Sequence, residues 1–418
     1  MSHYKSYPAY KDSGMEWLGR VPEHWQTKRL KHIADVQTGV AKGKDNEGKD
    51  TIEVPYLRVA NVQDGYLSLD DVATIAIPRQ DLTRYSLQPG DVLMNEGGDF
   101  DKLGRGSVWL GEIEPCIHQN HVFAVRPTIV SSAWLNAFTG SLAAQFYFMG
   151  RAKQSTNLAS ISSSNIMELP VAMPPAAEVE LLLAHLNRET ARIDALIEKK
   201  TRFIELLREK TLSLVGQAFK CKESRWIRLQ HVCDVVSRSV GNEEEKSYVR
   251  LGLYNRGRGI FKKEETDAED MGDSEFFWVE PGDLILSGQF AWEGAVALAN
   301  VEHESCVVSH RYPIIRGRAG EVLTEYLFAF FLSHYGDFLL NDCSRGSAGR
   351  NRPLNIVSLL KWKIPVPPMD LQEKVAALVR YRRELLHKVE ISINLLKERR
   401  SALITAAVTG QIDLREAV

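Results

Sequence analysis

The strongest constraint on the fold is an internal repeat, because four landmarks recur in the same order along the 418-residue chain. The four pairs are WQTKRLKHIADV (25–36) with WIRLQHVCDV (226–235), LQPGDVLM (87–94) with VEPGDLIL (279–286), STNLASISSSNIMELPVAMPP (155–175) with SAGRNRPLNIVSLLKWKIPVPP (347–368), and LLREKTLSLVGQAF (206–219) with LLKERRSALITAAV (395–408). The third pair matches Asn165-Ile166 with Asn355-Ile356. Chance does not preserve both order and spacing, so the sequence predicts one unit, a globular domain followed by a long helix, present twice.

A proline pair precedes each predicted long helix. A residue before proline is disfavoured in the α conformation, whereas proline itself suits the first turn of a helix, so Pro174-Pro175 and Pro367-Pro368 each end a strand and start a helix. Apolar residues, or residues such as threonine that can replace them in a helix interface, then recur at intervals of three and four. This spacing predicts a heptad seam and a helix of roughly 65 Å. The seam positions are Leu182, Leu186, Thr190, Ile193, Ile197, Ile204 and Leu207 in the first helix, and Leu371, Val375, Leu378, Leu385, Val389, Ile393 and Leu396 in the second, where Arg382 interrupts them.

A solitary helix of this length frays in water, and its apolar seam needs a partner. We therefore predict that the two helices pack antiparallel as a coiled coil. The first run is one turn longer, since four more residues separate its prolines from the LLRE landmark than separate the second pair from LLKE.

The globular halves read as mixed β domains with helices. Short runs rich in Val, Ile and aromatic residues alternate with Gly, Asp, Asn and Pro turns, and each half also holds an apolar run of helix length, at 133–150 and 322–340. The predicted fold class is α+β, with two globular domains of mixed β core in tandem pseudo-repeat joined by two long helices. The predicted boundaries are 1–175 and 221–368 for the domains, 176–220 and 369–410 for the helices, and 411–418 for a tail.

Composition excludes several classes of protein. Hydrophobic residues at 44% and charged residues at 25% are typical of globular domains. No run of eighteen apolar residues and no secretory signal is present, so we expect a soluble cytoplasmic protein. The five cysteines form no CxxC pair, which argues against a disulfide framework or a structural zinc site and favours reduced thiols.

Catalytic signatures are missing as well. There is no phosphate loop, no dinucleotide fingerprint, no HExxH and no NPPY-like loop, and the Gly-rich EGGDFDKLGRG (96–106) is best interpreted as a hairpin turn. The run from His118 to His121 precedes a strand and favours a turn or a base-reading loop over a metal site or a general base.

Basic clusters in Gly-containing loops are the feature that points to a partner. With a net charge of −2, binding to a polyanion must rely on such local clusters. Arg and Lys bind phosphates, and Arg, Gln and Asn also read base edges in the major groove. The candidate DNA-binding residues are Lys42, Lys44, Lys102, Arg105, Arg151, Lys153, Gln154 and Asn157 in the first half, and Arg256, Arg258, Lys262, Lys263, Arg345, Arg350 and Arg352 in the second.

These motifs together resemble the specificity (S) subunit of Type I restriction-modification systems. The resemblance covers nearly the whole chain and is carried by SGMEWLGRVPEHW (13–25), RIDALIEKK (192–200), LLREK (206–210) and LLKERRSALITAAVTGQID (395–413). The chain departs from the pattern in its second helix, where HKVEISINLL (387–396) stands in place of the RIDALI-like stretch.

The resemblance implies a non-catalytic subunit in which each domain reads one part of a split, asymmetric double-stranded DNA target and the helices set the spacing. It also implies that two modification (methyltransferase) subunits dock on the chain and, through them, the restriction (translocase and nuclease) subunits. No cofactor or metal is expected on this chain, whereas S-adenosylmethionine, ATP and Mg²⁺ are expected on the partners.

Two other functions remain open from the residues alone. One is a single-chain DNA methyltransferase or nuclease that carries its own recognition domains. The other is a coiled-coil scaffold that binds only proteins.

Overall fold

The chain forms two compact units that divide both long helices. A computed structural model describes residues 4–43, 48–98, 103–155, 158–241, 247–271, 274–346 and 352–415. The first unit comprises Met1–Ile197 with Ile393–Val418, and the second comprises Glu198–Ser392. Helices α5 (Ala176–Lys220) and α10 (Met369–Val408) confirm the two predicted long helices, and each begins directly after its proline pair. No helix within the described ranges is long and apolar enough to cross a membrane.

The first unit is built from short strands and four short helices. The strands are β1 (Tyr10–Asp12), β2 (Arg20–Pro22), β3 (Gln26–Arg29), β4 (Ala34–Thr38), β5 (Thr51–Leu57), β6 (Ala73–Pro78), β7 (Val92–Asn95), β8 (Gly97–Gly98), β9 (Gly106–Val108), β10 (Ile117–His118), β11 (Val122–Pro127), β12 (Lys153–Ser155), β13 (Leu158–Ser160) and β14 (Pro170–Met173). The helices are α1 (Leu82–Tyr85), α2 (Ser132–Thr139), α3 (Leu142–Met149) and α4 (Ser163–Met167). The central sheet has the order β4-β11-β7-β9, and β10-β5-β6 forms a second sheet.

The second unit repeats this construction. Its strands are β15 (Arg225–Arg228), β16 (Cys233–Val236), β17 (Ser247–Leu253), β18 (Ile260–Asp267), β19 (Phe276–Trp278), β20 (Leu284–Leu286), β21 (Val296–Leu298), β22 (Val307–Ser309), β23 (Ile314–Gly317) and β24 (Lys363–Val366). Its short helices are α6 (Leu229–Val232), α7 (Thr324–Phe331), α8 (His334–Asp342) and α9 (Ile356–Leu360). The sheet order β16-β23-β20-β21 matches that of the first unit strand for strand, and the pair β15-β24 matches β3-β14.

The Pro-Gly-Asp turn has the same buried role in both units. Asp91 is 1% exposed, accepts hydrogen bonds from Arg126 Nε at 2.7 Å, and its Oδ2 accepts the Gln88 N–H at 2.8 Å. Asp283 is fully buried and accepts from Arg238 at 2.8 Å, from Arg316, and from the backbone N–H of the turn at 2.8 Å. A buried carboxylate thus closes each turn onto the arginine at the end of the neighbouring strand.

Each predicted apolar helix is broken into two. In the first unit, Ser141 caps α3 by accepting the Ala144 N–H at 3.2 Å, so the chain turns at Gly140. In the second unit, Ser333 does the same for α8 through the Gly336 N–H. A serine side chain that satisfies free N–H groups ends one helix and starts another within an otherwise apolar run.

The repeat alignment around the polar loop is shifted by three residues from the predicted one. Ser162 caps α4 and Asn355 caps α9, so these two residues are equivalent, whereas Asn165 lies inside α4 and donates to the Arg151 carbonyl at 3.1 Å. Matching the identical Asn-Ile letters was wrong, because a serine and an asparagine perform the same capping role.

Segments of both long helices pack into the core of each unit. In the first unit, Leu182 and Leu186 of α5 belong to the same buried cluster as Leu403 and Ala407 of α10. In the second unit, Val215 and Ala218 of α5 share a cluster with Val375 and Val379 of α10. Leu182, Leu186 and Val375 are predicted seam positions, whereas Val379 is buried next to the predicted Leu378 and the other four residues lie beyond the predicted seam.

A buried carboxylate fixes the start of α5 in the first unit. Glu178 is 6% exposed and accepts hydrogen bonds from Tyr7 Oη at 2.6 Å and Trp25 Nε1 at 3.0 Å, while His24 Nε2 lies 2.7 Å from its other oxygen. Trp25 is fully buried there, as expected of a core anchor. Its counterpart Trp226 is 47% exposed, so the two equivalent tryptophans differ in burial.

Candidate nucleic-acid interface

In the first unit the fold brings two basic segments together. The short hairpin β12-β13 pairs with β8, so the segment that follows Arg151 lies beside the Gly-rich loop that leads to Arg105. Gly97 permits this pairing, because a Cβ atom there would meet the Ala159 carbonyl at 3.1 Å. Sequence reasoning treated these two segments separately.

The candidate side chains of this hairpin are presented outwards. Lys153 and Gln154 on β12 are exposed. The Arg151 guanidinium lies over the ring of Tyr147, 3.9 Å from its centroid. Stacking on an aromatic face holds a guanidinium in place while leaving its N–H groups free for a phosphate or a base edge.

The remaining candidates of the first half are dispersed. Lys42 is exposed in a turn, and Arg105 is half-buried with its guanidinium 3.9 Å from the Asp64 carboxylate. Four predicted residues lie outside the described residues: Lys44, Lys102, Asn157 and, in the second half, Arg350.

In the second unit the loop from Asn255 to Gly259 holds two candidate arginines in a fixed conformation. Arg256 has φ 57° and ψ 35°, a left-handed backbone that costs free energy in a residue with a side chain. The Gly257 N–H donates to the Gly294 carbonyl at 2.9 Å, and the Asn255 side chain bonds to Glu293. The loop is therefore tied at both ends, and Arg256 and Arg258 are exposed from it.

A second arginine-aromatic pair lies close by. Arg352 is placed 5.0 Å from the ring centroid of Trp292 and donates through Nε to the Ser344 carbonyl at 3.1 Å. Arg345 is exposed but paired with Asp342 at 2.7 Å, three residues earlier. Lys262 and Lys263 are exposed on β18.

The Asn255–Gly259 loop and Trp292 line a cavity of about 1000 Å³ within the second unit, whereas Arg345, Arg352, Lys262 and Lys263 are not among its lining residues. Its lining includes Arg208, Arg256, Arg258, Trp292 and His334. Guanidinium groups and an indole around an open concave surface suit a phosphodiester and an unpaired or edge-on base better than a small apolar ligand. Asp337 and Glu293 also line the cavity, and the second already bonds to Asn255.

Sequence reasoning missed three further residues: Tyr147 in the first unit, and Trp292 and Arg208 in the second. Tyr147 precedes Arg151 by one helical turn, so its position was a usable signal for stacking, whereas Trp292 is distant in sequence from Arg352 and only the fold brings the two together. Arg208 could not be found, because it lies on the long helix in a sequence of ordinary surface charge. Only the fold places it in the same cavity lining as Asn255, Arg256 and Arg258.

The histidine run is part of the fold. His118 is fully buried in β10, and its Nδ1 lies 2.6 Å from the Val122 carbonyl, while burial lowers the pKa of the ring. His121 pairs with Glu96 at 2.6 Å. Across the described ranges, no group of three or more His, Cys, Asp and Glu side chains is placed to hold a metal ion.

Known proteins are similar to this chain along almost its whole length, although no family model matches it. The putative type I restriction enzyme MjaX specificity subunit of Methanocaldococcus jannaschii is 21% identical over 423 residues, covering 95% of this chain and 96% of that protein. The type I restriction enzyme EcoKI specificity subunit of Escherichia coli K12 is 21% identical over 215 residues, covering 49% of this chain and 45% of that protein.

The fold has a counterpart among solved structures. A chain from a structure describing complex assembly and conformational transition of the type I R-M system aligns with a TM-score of 0.56 at 16% identity, covering 95% of this chain and 99% of that chain. The resemblance predicted from the sequence motifs is thereby confirmed.

Proposed function

We propose, from this likeness to specificity subunits, that the chain is the non-catalytic subunit that selects the DNA sequence for a Type I restriction-modification complex. The observation that carries the proposal is that the likeness extends through both globular halves and both long helices, over 95% of the chain. A relative matched over one domain alone would support only a DNA-binding module. Neither the methyltransferase nor the protein-only scaffold is favoured by any observation.

Each globular half is proposed to be a target recognition domain, the first within 1–175 and the second within 221–368. Two domains of the same construction but different loops suit a target with two different halves, because equivalent scaffolds present unlike side chains to DNA. The base-reading and phosphate-binding residues are proposed to be the exposed basic candidates, with Arg151 on Tyr147 and Arg352 on Trp292 as the preorganised ones.

The long helices are proposed to be an antiparallel spacer. In the first unit, the start of α5 shares its buried cluster with the end of α10, and Arg400 pairs with Asp194 at 3.0 Å. In the second unit, the end of α5 packs with the start of α10. The start of each helix thus packs with the end of the other, which supports antiparallel pairing.

The partners are proposed from the same likeness to specificity subunits. Two modification subunits would dock on the chain and supply S-adenosylmethionine-dependent methylation, and restriction subunits would join through them with ATP and Mg²⁺. Since its substrate is genomic DNA, the complex is proposed to act in the cytoplasm.

Selection from random-sequence DNA tests this proposal. The chain, assembled with its modification subunits, is incubated with a library of random duplexes and the retained molecules are sequenced. We expect two short specified sequences separated by an unspecified gap of constant length. A single uninterrupted site, or no enrichment at any salt concentration, would contradict the proposal.

A ligand-binding measurement distinguishes the proposed function from that of a single-chain methyltransferase. Equilibrium dialysis of S-adenosylmethionine against the isolated chain should give no saturable binding, whereas a single-chain methyltransferase would bind it. A second measurement compares how much random DNA is retained at low salt by the assembled complex and by the modification subunits alone. Greater retention by the complex is expected of a DNA specificity subunit, whereas a scaffold that binds only proteins would add none.

A further inference from the structure

The spacer helices of the second unit carry two arginines that the recognition loops do not account for. Arg208 on α5 lines the 1000 Å³ cavity together with Arg256 and Arg258. Arg382 on α10 lines an adjoining cavity of about 520 Å³, which also contains Arg258. The Asn255–Gly259 loop contributes to both cavities, since Arg258 lines each of them.

Arg382 is an uncompensated cation. It occupies a seam position of α10 and is half-buried, and its Nε has no hydrogen-bond partner within the described part of the chain. Burial lowers the pKa of Arg382, and the nearby charge of Arg208 lowers it further. A desolvated charge with a like charge beside it destabilises the free protein, so an apolar residue at this seam position would pack better.

Neither helix arginine is neutralised by the carboxylates nearby. Glu302, Glu384 and Glu390 line the second cavity, yet among the described residues Arg208 and Arg382 form no ion pair. Arg202, six residues before Arg208 on the same helix, is by contrast paired with Glu205 at 3.2 Å and with Glu209 at 3.1 Å. The arginines at the cavities are thus left free where a neighbouring helix arginine is not.

We propose that Arg208 and Arg382, together with Arg256 and Arg258, form a phosphodiester-binding site through which the spacer helices themselves hold the DNA backbone beside the second half-site. A phosphate bound there relieves the repulsion between the two helix arginines, because one anion compensates both charges. This contact carries no sequence information, and it rests on the proposed function as a DNA specificity subunit.

The alternative occupant is an acidic segment of a modification subunit. The observations favour DNA because both arginines share their cavities with the Asn255–Gly259 loop, and Arg208 also shares its cavity with Trp292, which are the elements proposed to face DNA.

Salt-dependent DNA binding by the assembled complex tests the site. The variants are R208Q, R382Q and the double variant, with R202Q as the control that removes a positive charge from the same helix. Log affinity is measured against log salt concentration, from about 50 to 200 mM, on a duplex with the selected target and on one without it. The steepness of this line falls by about 0.9 for each phosphate that the protein no longer neutralises.

We expect the double variant to lower the slope by about one, equally on both duplexes. One phosphate contact strengthens binding by about 0.9 log unit for a tenfold decrease in salt concentration below 1 M, so its loss should weaken binding about eightfold at 0.1 M salt. R202Q should change the slope much less. Because Arg208 is exposed, R208Q preserves the fold and keeps the test valid even if R382Q does not.

Two outcomes would overturn the site. An unchanged slope in a correctly assembled complex would show that the arginines do not bind phosphate. Dissociation of the modification subunits from the variant on size-exclusion chromatography would assign the site to a protein segment. If the unmodified complex shows no preference for any target, the proposed function fails, which is a different result from failure of this site.

Discussion

Removal of the Glu178 carboxylate should destabilise the first unit by several kcal/mol. Its Oε1 accepts from both Tyr7 Oη and Trp25 Nε1, and both donors are buried. Glu178→Ala leaves both without a partner, at about 1–3 kcal/mol each, so we expect a decrease of about 4 kcal/mol in the free energy of unfolding. Glu178→Gln keeps an acceptor oxygen at the same position and should cost about 1 kcal/mol.

Native-state hydrogen exchange measures this decrease where it occurs. Opening free energies are obtained from peptides that cover residues 4–25 and 176–190, since these segments meet at Glu178. Glu180→Ala is the matched control, because Glu180 is exposed on the same turn of α5 and its removal should change the opening free energy by less than about 0.5 kcal/mol.

The graded order of the three variants is the decisive result. Glu178→Ala with the same opening free energy as Glu180→Ala would refute the reading of Glu178 as the acceptor that fixes the start of α5. Glu178→Gln as damaging as Glu178→Ala would show that negative charge matters there and the hydrogen bonds do not.

Three further outcomes are expected. Burial, followed by the hydrogen bond to Glu178, raises the pKa of Tyr7, so the first unit should lose stability as the pH rises above about 10, and Tyr7→Phe should flatten that decline in alkaline unfolding curves. Asp283→Ala leaves two arginines without their buried carboxylate and should cost about 3–5 kcal/mol in urea unfolding, whereas Glu280→Ala, at a half-exposed carboxylate, should cost less than about 1 kcal/mol. Insertion of four helical residues after Glu390 adds about 6 Å to α10 and should lengthen the unspecified gap by about one to two base pairs while the bases read stay the same, as selection from random DNA would reveal.

The long helices could be predicted because their signals are local. A proline pair sets the starting residue, and the spacing of apolar side chains sets the buried face, so α5 begins at Ala176 and α10 at Met369. The break at Arg382 was also visible in the sequence. The partial burial of the Arg382 guanidinium could not be predicted, because it depends on how α10 packs against residues distant in sequence.

The repeat could be predicted at the level of landmarks but not of every residue. The Pro-Gly-Asp turns are equivalent in the hydrogen bond that each aspartate accepts from the backbone N–H three residues earlier, although Asp91 binds one arginine and Asp283 binds two. The cap of the short helix before the proline pair is Ser162 in one copy and Asn355 in the other, and letter identity misled the alignment there.

The candidate interface was predicted only as a set of basic loops. Which loops lie together depends on strand pairing, such as that of β13 with β8. The aromatic support of Arg352 depends on packing that no local pattern specifies, because Trp292 is distant from it in sequence. The different exposure of Trp25 and Trp226 could not be predicted either, because the sequences around the two tryptophans are similar and their burial depends on residues distant in sequence.

The central claim is that this chain alone determines which DNA sequence its complex modifies. The most direct test is a genome-wide map of methylated adenines in cells with and without the gene for this chain, while the partner genes stay in place. The account predicts one methylated motif, split into two specified parts by a gap of constant length, that disappears when the gene is deleted. A motif that persists after deletion, or one that is a single uninterrupted sequence, would contradict it.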